Sequence, residues 1–131
     1  MILADTDVLI DYLAGVQPVA AQVARYIEND RLRTTVITCF ELLSGAGKGK
    51  RGDAVRKLAG ELDTVPLERN AAERAAAVRR GLESAGLPIG MADYLIAGIA
   101  LEQDLPLLTG NRKHFSRVPG LKLVDIERSQ A

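Results

Sequence analysis

The chain contains one cysteine, one histidine and no tryptophan among its 131 residues. The single cysteine, Cys39, excludes an intramolecular disulfide framework and a cysteine-based zinc site. The 17 lysine and arginine residues balance the 17 aspartate and glutamate residues, so overall charge attracts neither nucleic acid nor a membrane. No apolar run approaches the length of a membrane span, and Asp5 and Asp7 exclude a signal peptide at the start. These absences predict a small cytoplasmic protein.

The composition is that of an ordinary globular protein, with 47% hydrophobic and 26% charged residues. No repeat, low-complexity tract or linker divides the chain, so we expect one domain over residues 1–131. Short apolar segments predict strands at 1–4, 33–38, 62–67 and 105–108, and an edge strand at 121–124. Helical patterns predict helices at 8–13, 20–27, 39–43, 54–62, 71–82 and 91–103, with a basic turn at 47–52. This alternation indicates an α/β fold of three layers, a short and mostly parallel sheet with helices on both faces.

Acidic and polar side chains follow the predicted strands or lie in the predicted helices beside them, Glu41 in the helix after the second strand and Asp93 in the first turn of a later helix, and ligands bind at this end of parallel sheets. These residues are Asp5, Asp7, Glu41, Asp93, Thr109 and Asn111. Carboxylates gathered at one edge repel one another unless one is protonated or a cation lies among them. Oxygen ligands of this kind suit a hard cation such as Mg²⁺ or Mn²⁺, which can orient a water and neutralise charge on a phosphoryl oxygen.

Each of these residues alone has a simpler structural explanation. Asp5 or Thr6 can cap the first helix, and Thr38 with Glu41 matches a capping box. Asp93 in a first helical turn is favoured by the helix dipole. These explanations do not account for the convergence of all the candidates on one edge of the sheet.

Four segments of the sequence, in order, resemble the motifs of PIN-domain ribonucleases, and within them the VapC-type toxins of bacterial toxin–antitoxin pairs. The first two segments are ILADTDVLI from Ile2 and TCFELLSG from Thr38. The other two are ADYLIA from Ala92 and LLTGNRKHF from Leu107. Together they extend over nearly the whole chain, and their order and spacing are those of the family.

The resemblance implies a metal-dependent endoribonuclease in which Asp5, Glu41 and Asp93 bind Mg²⁺ or Mn²⁺. A metal-activated water would then hydrolyse an RNA phosphodiester bond. It also implies that Thr6 positions the carboxylates, with Asp7 and Thr109 beside them. Where the family often has a fourth acid, this chain has Asn111, whose oxygen can bind the ion or orient a water. A general-base role for His114 is not needed, since proton transfer can use metal-bound water.

The same resemblance implies an RNA substrate, a cognate antitoxin and a homodimer. The antitoxin would lay apolar residues along a groove formed by the early helices. Candidates for this groove are Tyr12, Leu13, Leu42 and Leu43. Basic residues flanking the predicted site are candidates for contact with the RNA backbone, namely Lys48, Lys50, Arg51, Arg112 and Lys113.

Two other functions stay open at this point. Asp5-Thr6-Asp7-Val8 after an apolar strand also fits a haloacid-dehalogenase-like phosphatase, with Asp5 as the nucleophile. The second half of the chain lacks the adjacent pair of acids that this chemistry needs. The neutral Asn111 also leaves open a PIN-like module that binds RNA without cleaving it.

Overall fold

The computed structural model describes residues 1–127, and residues 128–131 of the predicted domain lie outside the described part. The strands are β1 (Ile2–Ala4), β2 (Leu32–Thr35), β3 (Asp63–Val65) and β4 (Leu107–Leu108). The helices are α1 (Thr6–Ala14), α2 (Val19–Glu28), α3 (Val36–Gly45), α4 (Lys50–Glu61), α5 (Arg69–Ser84), α6 (Met91–Gln103) and α7 (Arg112–Phe115). The predicted α/β fold is confirmed.

The sheet of this described part has four strands in the order β3-β2-β1-β4, and every neighbouring pair is parallel. In the register, Leu3 of the central strand β1 lies between Arg33 of β2 and Leu107 of β4. Leu3 and Ala4 are fully buried because helices cover both faces of the sheet. All four strands therefore end at one edge, where the residues that follow them meet.

Two hydrophobic clusters fill the space on either side of the sheet. Helices α5 and α6 cover one face, and the cluster there includes Leu3, Ile96, Ile99, Leu107 and Phe115. Helices α1, α2 and α4 cover the other face, and the cluster there includes Ile2, Val8, Leu9, Val23 and Leu58. The sheet is thus the middle layer of the three that the sequence predicts.

Gly98 allows α5 and α6 to pack closely on one face. A Cβ atom at this position would lie 2.5 Å from the carbonyl oxygen of Ala71 and 2.7 Å from the Cβ of Ala75. Glycine disfavours a helix interior, yet the predicted bounds 91–103 of α6 are confirmed. The close approach of the two helices explains why this position lacks a side chain.

The predicted strand at 33–38 is wrong beyond Thr35. The Oγ1 atom of Thr35 accepts a hydrogen bond of 3.1 Å from the backbone N–H of Thr38, so Thr35 caps α3 and the following β-branched residues are helical. The capping box predicted for Thr38 and Glu41 is therefore also wrong. Both residues lie inside α3, on the side of the helix that faces α1.

Two further predictions about local structure are corrected, and one short helix was not predicted. The turn predicted at 47–52 is shorter, because α4 begins at Lys50 and Gly52 is buried within it. The edge strand predicted at 121–124 is a single bridge between Leu107 and Leu123. The short helix α7 was not predicted, because four residues are too few for a periodic pattern. In residues 1–127, no helix is long and apolar enough to cross a membrane.

Candidate active site

Asp5 lies at the junction of β1 and α1, where it is the N-cap of the helix. Its Oδ1 atom accepts a hydrogen bond of 2.8 Å from the N–H of Thr6, and its Oδ2 atom accepts one of 2.7 Å from the hydroxyl of Thr109. The residue is only 6% exposed. Burial is the main reason that the pKa of Asp5 rises from 3.8 to about 7; the two hydrogen bonds oppose this shift, and the nearby charges of Asp7 and Asp93 add to it.

Thr6 connects the first helix to the third. Its hydroxyl donates a hydrogen bond of 2.7 Å to Oε1 of Glu41, and its Oγ1 atom lies 3.2 Å from Oγ1 of the buried Thr38. Thr38 and Glu41 are three residues apart on a helix, so both face Thr6. Thr6 therefore contacts the Glu41 carboxylate at the edge of the sheet. The positioning role that the family resemblance implies for Thr6 stays a prediction.

Asp7 faces the loop after β4. The N–H of Gly110 donates to both carboxylate oxygens of Asp7, at 3.2 Å and 3.0 Å. A Cβ atom at Gly110 would lie 2.7 Å from Oδ2 of Asp7, so a side chain there would displace this carboxylate. Burial raises the pKa of Asp7, and the hydrogen bond from Gly110 partly offsets that rise.

Asp93, Asn111 and His114 form a third group at the same edge. Asp93 lies in the first turn of α6, and its Oδ2 atom is 3.4 Å from Nδ1 of His114. The same Nδ1 atom is 3.1 Å from Nδ2 of Asn111. In the neutral ring the tautomer decides the partner of Nδ1: without a hydrogen it accepts from the Asn111 amide, and with one it donates to the Asp93 carboxylate. The backbone N–H of Asn111 donates to Oγ1 of Thr109, which links this group to Asp5.

These groups meet in one cavity of about 290 Å³ at the carboxyl edge of the sheet. Its lining consists of Asp5, Thr6, Asp7, Ile10, Glu41, Asp93 and Asn111. Four of these side chains are carboxylates, and among the described residues no lysine or arginine lines the cavity. The structure therefore brings together the four acids that the sequence placed at this edge, with Asn111 beside them.

The donor set of this cavity suits a hydrated hard cation. No group of three or more acidic, histidine or cysteine side chains within residues 1–127 is arranged to hold a metal ion directly. Direct ligation by Asp5, Glu41 and Asp93 together is therefore absent from this arrangement. Mg²⁺ is usually bound through one or two carboxylates while it keeps several waters, so an oxygen-only cavity of this size fits such an ion.

The basic residues predicted to contact RNA lie in different surroundings. Lys50 and Arg51 are exposed and line a groove between α1 and α4. Lys48 and Lys113 are also exposed, and neither lines this groove. Arg112 already has partners in this chain. Its guanidinium donates a hydrogen bond of 3.0 Å to the carbonyl oxygen of Val124 and lies 3.5 Å from the carboxylate of Asp125.

The four apolar residues predicted to form one groove do not share a surface. Leu13 lines the groove between α1 and α4, and the half-buried Tyr12 packs against the core. Leu42 is 4% exposed and belongs to the core, because its side of α3 faces the other helices. Leu43 is 46% exposed and lies on α3 with the exposed Phe40.

Two residues of this region were not predicted as site residues, although the sequence suggested Thr38 as a helix cap. Thr38 contacts Thr6, and its spacing of one helical turn from Glu41 was the available signal. Ile10 lines both the acidic cavity and the groove between α1 and α4. It follows Asp7 by three residues in α1, so the two share one side of the helix.

Comparisons with known proteins show relatives of this chain and of its fold. A family model for the PIN domain matches residues 2–121. Ribonuclease VapC10 of Mycobacterium tuberculosis is 35% identical over 122 residues, which are 93% of this chain and 91% of that protein. The tRNA(fMet)-specific endonuclease VapC of Salmonella typhimurium is 29% identical over 103 residues, 76% of this chain and 78% of that protein. The crystal structure of DNA-bound VapBC from Salmonella typhimurium superposes with a TM-score of 0.81 at 26% identity, covering 95% of this chain and 96% of that one.

Proposed function

The chain belongs to the PIN-domain family, and we propose that it is a metal-dependent endoribonuclease that acts as the toxin of a toxin–antitoxin pair. The observation that carries the proposal is the cavity lined by Asp5, Asp7, Glu41 and Asp93, which come from three distant segments of the chain. The names of the relatives, a ribonuclease and a tRNA-specific endonuclease, support RNA as the substrate class. Such a toxin acts where its RNA is, which puts the proposed activity in the cytoplasm.

The proposed chemistry is hydrolysis of an RNA phosphodiester bond. A divalent cation, Mg²⁺ or Mn²⁺, would supply activation of a water and neutralisation of the charge on the phosphoryl oxygens. Asp5, Glu41 and Asp93 are the proposed ligands, directly or through water, because they line the cavity and carry oxygen donors only. Asp7 is the proposed outer ligand, held by the N–H of Gly110.

The remaining polar residues of the cavity have positioning roles in this proposal. Thr109 holds Asp5 from the side of β4, and Thr6 holds Glu41 from the side of α1. The amide of Asn111 is 3.1 Å from Nδ1 of His114, which leaves its oxygen available to orient a water in the cavity. The roles of Thr109 and Thr6 each depend on a hydrogen bond between segments that are far apart in sequence.

Protein partners form the second part of the proposal. Several similar structures are VapBC or toxin–antitoxin complexes, which supports a cognate antitoxin for this chain. A homodimer is also proposed. Val36, Phe40 and Leu43 form an apolar stripe on α3 that is 38%, 70% and 46% exposed, which supports a protein contact on that helix.

Cleavage of RNA by the purified chain tests the enzymatic proposal. We expect cleavage of total cellular RNA with Mg²⁺ or Mn²⁺ and none with EDTA. Asp93→Asn and Glu41→Gln should each lower the rate by about 100-fold or more, since even outer partners of a metal site typically contribute 10–100-fold. Glu28→Gln is the matched control, because Glu28 is exposed on α2 and outside the cavity.

The same assay separates the alternatives. Equal cleavage by Asp93→Asn and the parent, with both proteins folded, would contradict catalysis in this cavity and favour a module that only binds RNA. Covalent labelling of Asp5 by a phosphorylated substrate would favour the phosphatase instead. In cells, expression of the parent should arrest growth, and co-expression of its antitoxin should restore growth.

A further inference from the structure

A groove of about 420 Å³ lies between α1 and α4, beside the acidic cavity. Ile10 and Leu13 from one face of α1 and Val55 from α4 form its apolar part. Lys50 and Arg51, at the start of α4, add two positive charges to its lining. Ile10 also lines the acidic cavity, so the groove and the cavity adjoin at this residue.

The two positive charges of the groove are not neutralised within the described chain. Neither Lys50 nor Arg51 makes an ion pair with any acidic side chain of residues 1–127. The acid nearest to them in sequence, Asp53, pairs with Arg56 at 2.8 Å. The groove therefore combines an apolar surface with positive charge that is available to a bound anion.

An RNA strand that enters the acidic cavity needs this combination next to it. The four carboxylates of the cavity repel every phosphate except the one that a bound cation attracts. The neighbouring phosphates must therefore meet cationic side chains, and the bases between them need surfaces on which to pack. Because the groove adjoins the cavity at Ile10, it lies within reach of the nucleotide next to the one in the cavity.

We propose that this groove binds the nucleotide next to the scissile phosphate of the RNA substrate. Its base packs on Ile10, Leu13 and Val55, and its phosphate lies beside Lys50 and Arg51. The proposal rests on the proposed function, because it assumes that the acidic cavity receives RNA. In a single-stranded RNA segment, the phosphate and the base of one nucleotide are close enough to reach the charged and the apolar parts of the groove together. Binding of this nucleotide would align the scissile phosphate with the acidic cavity.

Binding measured without a metal tests this inference separately from cleavage. The probe is a fluorescein-labelled oligouridylate, whose anisotropy is followed in EDTA over a series of salt concentrations. Lys50→Met and Arg51→Met should each weaken binding several-fold and reduce the slope of log K against log salt by about 0.7, the value for one lost phosphate contact in a single strand. Ile10→Ala should weaken binding without changing the slope.

Matched controls are available on other surfaces of the chain. Arg80→Met removes an exposed arginine that makes no ion pair within the described residues and does not line the groove. Leu87→Ala truncates an apolar side chain that is 45% exposed, close to the 44% of Ile10. Both control variants should bind the oligouridylate like the parent, and circular dichroism should show that all five variants are folded.

The outcomes distinguish the groove from the cavity. Unchanged affinity and salt slope in Lys50→Met, Arg51→Met and Ile10→Ala would overturn the inference, even if the parent cleaves RNA with Mg²⁺. The inference would also be overturned if these variants bound the oligouridylate like the parent and lost affinity only for the co-expressed antitoxin. The groove would then be a protein-binding site. Cleavage kinetics give a second check: the three variants should raise KM more than they lower kcat. Absence of metal-dependent cleavage by the parent would instead contradict the proposed function.

Discussion

The hydroxyl of Thr109 donates a hydrogen bond of 2.7 Å to Oδ2 of Asp5, a residue 104 positions earlier in the chain. Both residues are buried, at 0% and 6% exposure, and they follow the adjacent parallel strands β4 and β1. Thr109 also accepts a hydrogen bond from the N–H of Asn111. This single hydroxyl therefore connects the acid at the end of β1 with the loop that carries Asn111.

Replacement of Thr109 by valine should destabilise the protein. Valine has nearly the same shape but no hydroxyl, so Oδ2 of Asp5 and the N–H of Asn111 both lose a partner. The cost of a buried group left without a hydrogen bond predicts a loss of about 1–3 kcal/mol in the free energy of unfolding, measured by urea denaturation. Thr109→Ser should retain most of the stability.

The control for this substitution is Thr64→Val. Thr64 is exposed on the edge strand β3, and its hydroxyl contacts only the carbonyl oxygen of Leu62 at 3.3 Å. It should change the free energy of unfolding by about 0.5 kcal/mol or less. Equal effects of the two valine substitutions would show that the contact between Thr109 and Asp5 contributes nothing.

Asp5→Asn should stabilise the metal-free protein above neutral pH. The pKa of Asp5 is raised from 3.8 to about 7, so ionisation of Asp5 in the native state lowers the free energy of unfolding. At about 1.4 kcal/mol per pKa unit, removal of the charge can raise the free energy of unfolding by up to about 4 kcal/mol. Urea denaturation in EDTA measures this change, and the same variant should lose RNA cleavage.

The difference in the free energy of unfolding between Asp5→Asn and the parent depends on pH in a way that follows from the raised pKa of Asp5. The native state binds the Asp5 proton more tightly than the unfolded state, so this group favours folding most below about pH 3.8 and its contribution is lost as the pH rises through about 7. Asparagine does not titrate. The stability advantage of Asp5→Asn should therefore grow between these two pH values and level off above them, and an advantage that shrinks with pH would contradict the assignment.

Mg²⁺ or Mn²⁺ should raise the melting temperature of the parent. An ion that binds only the native state adds about 2.7 kcal/mol to the free energy of unfolding at a concentration of 100 times its dissociation constant. Differential scanning calorimetry at constant ionic strength, with sodium chloride in place of the divalent salt, measures the shift. The shift should be smaller in Glu41→Gln and Asp93→Asn, and equal shifts in these variants and the parent would place the ion elsewhere.

Gly98→Ala should destabilise the packing of α5 against α6. The added methyl group would lie 2.5 Å from the carbonyl oxygen of Ala71, and both helices would have to move. Overpacking of this kind predicts a loss of about 1–3 kcal/mol, measured by thermal or urea denaturation.

Gly81→Ala is the matched control for this prediction. Gly81 lies inside α5, and nothing is within 4 Å of the position that its Cβ would occupy. Alanine there should instead stabilise the protein by about 0.5–1 kcal/mol, because it favours the helix. Stabilisation by both substitutions would contradict the close contact at Gly98.

The parts of the fold that the sequence predicted well are those set by local patterns. The apolar run at the start predicted β1, and the helical pattern of 91–103 predicted α6 with its observed bounds. The prediction failed where two local preferences compete. The β-branched residues after Thr35 favour a strand, but the hydroxyl of Thr35 caps a helix there and the helix forms.

Prediction from the sequence has a similar limit at glycine residues. Gly52 suggested a turn, yet it lies inside α4, and a Cβ atom at this position would be 1.8 Å from the carbonyl oxygen of Gly47. The glycine is thus required by the close approach of two backbone segments. The sequence pattern contains no information on such an approach, because it depends on how the chain between the segments folds back.

The sequence by itself determined which side chains meet at the edge of the sheet. Asp5 and Asp7 follow β1 and Glu41 lies in the helix after β2, so the common direction of the strands brings these acids to one end of the sheet. Asp93 lies instead in the first turn of α6, the helix that precedes β4. Only the tertiary structure decided the hydrogen bonds from Thr6 to Glu41 and from Gly110 to Asp7, and the lengths of these contacts at the cavity. Those distances depend on the packing of helices against the sheet, which no local preference of the chain specifies.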